Sequence, residues 1–151
     1  MNKHKYYMNE AYKEALKAYN KQEVPVGCVI VYQGEIIARA HNNRENLQSV
    51  LGHAEILAID IATKKLNTWR LEEATLYVTL EPCPMCAGAI IQSRIKHCYY
   101  ASKDLKSGVA HSIINMFDLP FNHKVIVEQI DDDNKSSLLL KKFFQELRKN
   151  K

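Results

Sequence analysis

Two short motifs hold the side chains best suited to chemistry. Residues 53–55 read HAE and residues 81–86 read EPCPMC. The thiols of Cys83 and Cys86 are three residues apart, so in the first turn of a helix they converge on one point. Unpaired N–H groups and the positive end of the helix dipole favour thiolates there, and Pro84 suits a helix start because its missing N–H would have had no helical partner. The spacing indicates a thiolate pair suited to metal binding or to redox exchange.

Three interpretations of this thiol pair compete. A redox dithiol is one, because thioredoxin-like motifs also follow a strand and open a helix. A structural zinc site is the second, but it needs four protein ligands, and Cys28 and Cys98 lie in apolar strand segments where a thiol behaves as a small hydrophobe. A catalytic zinc site is the third, and it needs only three protein ligands, which His53, Cys83 and Cys86 supply. The coincidence of two motifs in order favours the catalytic site.

The elements that must position these motifs follow from periodicity. Helical spacing of apolar residues and runs of β-branched residues alternate along the chain. The pattern predicts helices at 6–20, 53–65, 83–93 and 136–149, strands at 24–32, 35–41, 74–80, 95–101 and 125–130, and a short helical turn before the last strand. Helices interleaved with strands in this way predict a three-layer α/β/α sandwich around a mixed five-stranded sheet. The absence of a repeat or linker predicts one domain over 1–151.

Composition restricts the class of protein. The chain has 151 residues, 46% of them hydrophobic, and a formal net charge of +4, which permits an anionic partner without requiring one. Charged residues are scattered through the first 21 positions, and the longest apolar run, at 26–32, is far shorter than the roughly 18 residues that span a bilayer. We therefore expect a cytoplasmic protein with reduced thiols and no membrane association.

The two motifs together resemble the cytidine-deaminase-like zinc deaminases, and within them the bacterial tRNA-specific adenosine deaminases. The resemblance extends over nearly the whole chain, and it includes the second motif with its neighbours, TLEPCPMCAGAI at 79–90. Further matching segments are EVPVG at 23–27, ARAHN at 38–42, WRL at 69–71, Asp104 with KSG at 106–108, Asn122-His123, Phe143-Phe144 and Leu147-Arg148.

The resemblance implies a mechanism and a substrate. His53, Cys83 and Cys86 would hold one Zn²⁺ per subunit, and Glu55 would move protons while adenosine is deaminated to inosine at the wobble position of a tRNA anticodon. A deaminase of a free base or nucleoside, such as guanine or cytosine, is the alternative on the same fold. A non-catalytic zinc-containing RNA-binding subunit ranks lower, because inactive relatives can dispense with Glu55. The resemblance also implies a homodimer.

Substrate contacts follow from the resemblance more than from the residues themselves. Asn42 matches a residue that hydrogen-bonds the flipped nucleotide, although a turn residue after a strand is the simpler interpretation. Basic residues beside two phenylalanines in the last helix suit phosphate contact and base stacking, with one ring buried and the other available to RNA. The predicted substrate-binding residues are Asn42, Asp104, Asn122, His123, Phe144 and Arg148.

Two segments depart from the family pattern. Residues 49–52 read SVLG where many relatives have Asp-Pro-Thr-Ala, so a conformational restraint is lost and Gly52 adds freedom beside a zinc ligand. Residues 99–103 read YYASK in place of a more usual Gly-Ala pair. We expect the loop beside the substrate pocket to differ in shape while the zinc chemistry is retained.

Overall fold

A computed structural model describes residues 2–150. The elements in chain order are α1 (Lys3–Asn20), β1 (Gly27–Tyr32), β2 (Glu35–His41), α2 (Arg44–Leu47), α3 (Ala54–Leu66), β3 (Thr75–Leu80), α4 (Pro84–Gln92), β4 (His97–Ser102), a 3-10 turn (Met116–Asp118), β5 (Ile126–Gln129) and α5 (Lys135–Lys149). The predicted helices and strands are present, and the one-turn helix α2 was not predicted. Within residues 2–150, no helix combines the length and the apolar character needed to cross a membrane.

The five strands form one mixed sheet in the order β2-β1-β3-β4-β5. β1 pairs antiparallel with β2 and β3, whereas β3, β4 and β5 run parallel. Parallel neighbours need a crossover, which α4 provides between β3 and β4. The predicted three-layer α/β sandwich with a mixed five-stranded sheet is therefore confirmed.

Alternating side chains divide the interior between the two faces of the sheet. On one face, Leu76 and Val78 of β3 belong to the larger core, which includes buried alanines of α3 and isoleucines of α4. On the other face, Tyr77 and Tyr99 pack with Met8 of α1. α5 packs beside α1. The helices that carry the two motifs thus lie together on one side of the sheet.

The two cysteines outside the motifs lie in the larger core. Cys28 in β1 and Cys98 in β4 are fully buried free thiols. Burial raises the pKa of both thiols well above the ordinary value, which keeps them protonated. Their prediction as core thiols is confirmed, and the structural zinc interpretation loses its additional ligands.

Candidate active site

The two motifs meet where two helices begin. His53 is the N-cap residue of α3 and Cys83 that of α4, and both have extended backbone conformations. Cys86 lies in the first turn of α4, which has Pro84 at its start. A ligand atom from each of His53, Cys83 and Cys86 lies within 4.8 Å of the other two. The structure thus brings together the three residues predicted to bind metal.

The spacing of these atoms fits tetrahedral zinc. The Nδ1 atom of His53 lies 3.7 Å from Sγ of Cys83 and 3.5 Å from Sγ of Cys86. For bonds of about 2.0–2.1 Å to nitrogen and about 2.3 Å to sulfur at tetrahedral angles, the N···S distance is about 3.6 Å. Two thiolates and one imidazole suit zinc by donor type, and three protein ligands leave a fourth position open. The donor set therefore fits a catalytic zinc ion.

The two thiols affect each other's protonation. The neighbouring Cys86 thiol lowers the pKa of Cys83 to about 4; partial burial opposes the shift, and the His53 ring supports it. The same neighbour interaction and burial raise the pKa of Cys86. The position of Cys83 at the N-terminus of α4, where the helix dipole also favours negative charge, thus suits a thiolate.

Glu55 lies beside this cluster, in the first turn of α3. Its side chain is only 4% exposed. Burial raises the pKa of Glu55 to about 7, with Cys83, His53 and Cys86 among its close neighbours. On a regular helix residues 53 and 55 would point apart, but the extended backbone at His53 lets both side chains face Cys86. The arrangement places a carboxyl group with a raised pKa next to the three candidate metal ligands, where it could exchange protons.

Asn42 holds the start of α3. Its Oδ1 atom accepts a hydrogen bond from the N–H of Ala54 at 2.8 Å, one of the amides that the helix leaves unpaired. Asn42 follows β2 directly, so this bond ties the end of β2 to the helix that carries His53 and Glu55. The structure thus gives Asn42 a positioning contact close to the candidate metal centre.

In the segment 49–52, which departs from the family pattern, close packing explains the glycine at position 52. The N–H of Asn43 donates to the carbonyl of Gly52 at 2.9 Å. A Cβ atom on Gly52 would lie 2.8 Å from Cα of Arg44, closer than side chains tolerate. Gly52 therefore permits a close backbone approach next to His53, so its consequence here is tight packing, in contrast to the freedom that the sequence suggested.

Three of the predicted substrate-binding residues line one cleft of about 710 Å³. Asp104 lies on one wall, and Phe144 and Arg148 of α5 lie on the other. Lys103 and Lys106 add positive charge to the same cleft. The ring of Phe144 is exposed whereas that of Phe143 is buried. This basic cleft, lined by residues 103–107 and α5, has the charge and aromatic surface that suit single-stranded nucleic acid.

Asn122 and His123 lie elsewhere. The ring Nε2 of His123 makes a 2.8 Å hydrogen bond with the carbonyl oxygen of Ile95, just before β4 begins. The candidate metal centre and the basic cleft are at the carboxyl ends of β3 and β4, so His123 is at the opposite end of the sheet. The structure therefore does not bring Asn122 and His123 together with the other predicted substrate residues.

Two buried glutamates hold the neighbouring loops, and the sequence did not single out this role for either. Glu23 accepts hydrogen bonds from the backbone N–H groups of Glu45 and Asn46 at 3.1 and 2.7 Å, which fixes α2. Glu81 accepts several from the loop that follows β4. An acidic residue directly beside apolar residues, Val24 in one case and Leu80 in the other, was the available signal, because a buried carboxylate requires donors.

Comparison with known proteins gives consistent relatives. Residues 1–148 match the MafB19-like deaminase family. The chain is 52% identical over 146 residues to a tRNA-specific adenosine deaminase of Bacillus subtilis, covering 96% of this chain and 91% of that protein. It is 46% identical to a protein of the same name from Aquifex aeolicus, covering 96% of each.

Solved structures agree on the fold. One from a study of A-to-I editing by tRNA:A34 deaminases at the wobble position of transfer RNA superimposes with a TM-score of 0.86 at 40% identity, covering 89% of this chain and 98% of that one. A guanine deaminase from Bacillus subtilis superimposes with a TM-score of 0.66 at 32% identity, covering 99% of this chain and 95% of that one. The similarity thus includes deaminases of two substrate classes, with higher identity to the tRNA class.

Proposed function

Because the chain belongs to the MafB19-like deaminases and to the family of tRNA-specific adenosine deaminases, we propose that it converts adenosine to inosine at position 34, the wobble position, of a tRNA anticodon. The reaction consumes water and releases ammonia. The cluster of His53, Cys83 and Cys86 with the buried Glu55 beside it supports deamination, and the observation that favours tRNA as the substrate is the 52% identity to a tRNA-specific adenosine deaminase.

The residues divide the chemistry among them. His53, Cys83 and Cys86 would hold zinc, which acts as a Lewis acid when bound and activates water at neutral pH. Glu55 accepts a proton from the attacking water and delivers it to N1 of the adenine ring; it then takes the proton of the hydroxyl group added at C6 and passes it to the departing amine, which leaves as ammonia while C6 becomes a carbonyl. Asn42 keeps Glu55 and His53 in place by holding the first turn of α3.

We propose that the basic cleft binds the anticodon loop. Asp104, Phe144 and Arg148 line it together, and the exposed Phe144 ring offers a surface on which a base can stack. Arg148 and Lys106 supply the positive charge that phosphate contact requires. Asn42 is proposed as a further contact to the nucleotide next to the metal centre, as the resemblance implies.

A homodimer is part of this proposal. A groove of about 460 Å³ lies between α3 and α4 on the outer face of the molecule, and its lining includes Ile59, Ala89 and Trp69. Trp69 is 56% exposed, and a large exposed aromatic in an apolar groove is typical of a protein interface. Asn122 and His123 are remote from the basic cleft of their own chain. We propose that they contact RNA within the homodimer. Sedimentation of the protein and of Trp69→Glu tests this, because only the variant is expected to be monomeric.

The cytoplasm is the proposed location. Transfer RNA is the substrate, and the free thiols of Cys28 and Cys98 are those of a reducing compartment.

Guanine deamination is the second candidate, favoured by the 32% identity with the guanine deaminase of Bacillus subtilis. Its weakness is that a pocket for a free base has no need of a basic cleft with an exposed aromatic ring. A non-catalytic RNA-binding subunit ranks lower, because such a protein has no use for the buried Glu55 next to a three-ligand metal centre.

One experiment separates these functions. Zinc-loaded protein is incubated in turn with an A34-containing anticodon stem-loop, guanine, cytosine and free adenosine, with release of ammonia and sequencing of the RNA as measurements. We expect A-to-G reads at position 34 only, abolished by chelation of zinc and by Glu55→Gln. Ammonia from a free base without editing of RNA would establish the second candidate instead, and binding of RNA without ammonia would establish the third.

A further inference from the structure

Glu81 is a buried carboxylate that takes no part in the proposed chemistry. It follows β3 and precedes Cys83 by two residues, and its side chain is 2% exposed. Its Oε2 atom accepts hydrogen bonds from the backbone N–H groups of Ala110, His111 and Ser112 at 2.9, 2.8 and 3.0 Å. Its Oε1 atom accepts from the N–H of Asp104 at 3.0 Å and from the Ser112 hydroxyl. Both oxygens are therefore saturated by the segment 104–112, which we call the anchored loop.

The anchored loop is wrapped closely around this carboxylate. A Cβ atom on Gly108 would lie 2.3 Å from Cδ of Glu81 and 2.6 Å from the carbonyl oxygen of Asp104. The N–H of Gly108 donates to that same Asp104 carbonyl at 2.8 Å. No side chain fits at position 108 while the Glu81 carboxylate stays in place, so the loop requires glycine there.

The first part of the anchored loop is also the wall of the basic cleft. Asp104 and Lys106 line the cleft opposite Phe144 and Arg148. The side chain of Asp104 accepts hydrogen bonds from the N–H groups of Lys106 and Ser107 at 3.2 and 3.1 Å, which fixes the turn at the cleft. Because Glu81 binds the backbone N–H of Asp104, it also fixes the position of the turn at 104–107 in the cleft wall.

The turn that carries Cys83 has supports outside the anchored loop. The N–H of Glu81 donates to the carbonyl of Ser102 at 2.8 Å, and the N–H of Ala87 donates to the carbonyl of Cys83 at 2.8 Å. These are backbone bonds that involve neither the Glu81 carboxylate nor the anchored loop, whereas the bond from the N–H of Val109 to the carbonyl of Pro82 comes from the loop itself. Loss of the carboxylate is thus expected to release the anchored loop while Cys83 stays at the start of α4.

We propose that Glu81 is a positioning residue for RNA binding, which acts through the anchored loop on the wall of the basic cleft and not on the reacting atoms. The identity of the ligand rests on the proposed function, whereas the anchoring itself does not. The role predicts a change in KM for RNA with little change in kcat, because the proton-exchanging Glu55 and the metal ligands are untouched.

The test compares Glu81→Gln with Glu35→Gln, an exposed glutamate at the start of β2 that serves as the matched control. Glutamine replaces one acceptor oxygen by an NH₂ group, which faces N–H donors and cannot accept from them. In Glu81→Gln we expect faster hydrogen exchange at the amides of Asp104 and Ala110, unchanged zinc content, and a KM for the anticodon stem-loop raised about tenfold, with kcat within about threefold. The control is expected to match the parent in all four measurements.

A milder variant keeps the proposal testable if Glu81→Gln does not fold. Ser112→Ala removes a single hydrogen bond to Glu81 and leaves the four backbone hydrogen bonds in place. It is expected to raise KM, and to speed exchange of the loop amides, by less than Glu81→Gln does.

Several results would overturn the proposal: unchanged exchange of the loop amides, an unchanged KM despite a loosened loop, or a fall in kcat or zinc content as the main effect. Failure of the proposed function is recognised separately. In that case the parent protein edits no A34 RNA, whereas amide exchange and direct RNA-binding measurements on the variants still report on the anchoring.

Discussion

Glu55 and Glu81 are two glutamates with similarly small exposed fractions, 4% and 2%. Their pKa values are nevertheless shifted in opposite directions. Burial raises the pKa of Glu55 to about 7. Burial also acts to raise the pKa of Glu81, but hydrogen bonds from His111, Ser112 and Asp104 outweigh it and hold the pKa below its ordinary value. With solvent exposure nearly equal, the donors around Glu81 and the deeper burial of Glu55 among protein atoms together decide the state of each carboxyl group.

The opposite pKa shifts of the two glutamates suit two different roles. A carboxyl with few donors exchanges its proton easily, which suits Glu55 for proton transfer beside the metal ligands. A carboxylate that saturates both oxygens with backbone N–H groups is fixed as an anion and holds a loop in place. Glu23 belongs with Glu81, since it holds α2 in the same way.

The largest effect that separates the two glutamates is on catalysis. Glu55→Gln cannot accept or deliver a proton, so we expect kcat to fall by about 10²–10⁴-fold. Zinc content should stay at the parent value because Glu55 is not one of the three candidate ligands. Single-turnover editing of the anticodon stem-loop and metal analysis of the same preparation provide the measurement. A rate within a few fold of the parent would remove Glu55 from its assigned role.

The second effect is on stability, and here we expect the larger change in the Glu81 variant and the smaller one in the Glu55 variant. Glu81→Gln leaves buried N–H groups of the anchored loop without acceptors, so we expect a loss of about 2–4 kcal/mol in the free energy of unfolding. Urea denaturation of both zinc-loaded proteins gives the difference. If Glu81→Gln were as stable as the parent, the hydrogen bonds to Glu81 would not be a support of the fold.

The third effect extends the comparison to Glu23 and to pH. Hydrogen bonds from Asn46 and Glu45 outweigh burial and hold the pKa of Glu23 below its ordinary value. A lowered pKa in the folded state contributes stability that is present above the unfolded-state pKa and is lost as pH falls through the folded-state pKa. We expect Glu23→Gln to be about 1–2 kcal/mol less stable than the parent at pH 7, with a smaller difference at acid pH.

Urea denaturation of the parent and of Glu23→Gln is measured at pH 7 and again near pH 4. Loss of zinc in acid affects parent and variant alike and cancels in their difference. A gap that stayed constant with pH would show that the charge of Glu23 is not what holds α2.

The smallest effect concerns the stability of the Glu55 variant. Glu55 lies buried with few donors, so its replacement by glutamine removes a charged form that burial disfavours. We expect Glu55→Gln to change the free energy of unfolding by less than about 1 kcal/mol, in either direction. A loss as large as that of Glu81→Gln, measured by the same denaturation, would erase the contrast between the two glutamates.

The sequence by itself determined the features that depend on near neighbours. The helix start at Pro84, the thiolate pair on its first turn and the strand periodicity that buries Cys28 and Cys98 follow from residue types a few positions apart. The coincidence of the two motifs added His53 as the third candidate ligand, and the family resemblance added the proton-exchanging role of Glu55.

Only the tertiary structure decided which distant segments meet. The bonds of Glu81 join residues 23–31 positions apart, and they exist because β3 and β4 run parallel and end at the same edge of the sheet. The same topology places His123 at the opposite end of the sheet, although it and Asp104 were both predicted to bind substrate. Local sequence patterns report conformation within a few residues, whereas the donors that reach a buried carboxylate depend on how the strands pair and the loops close.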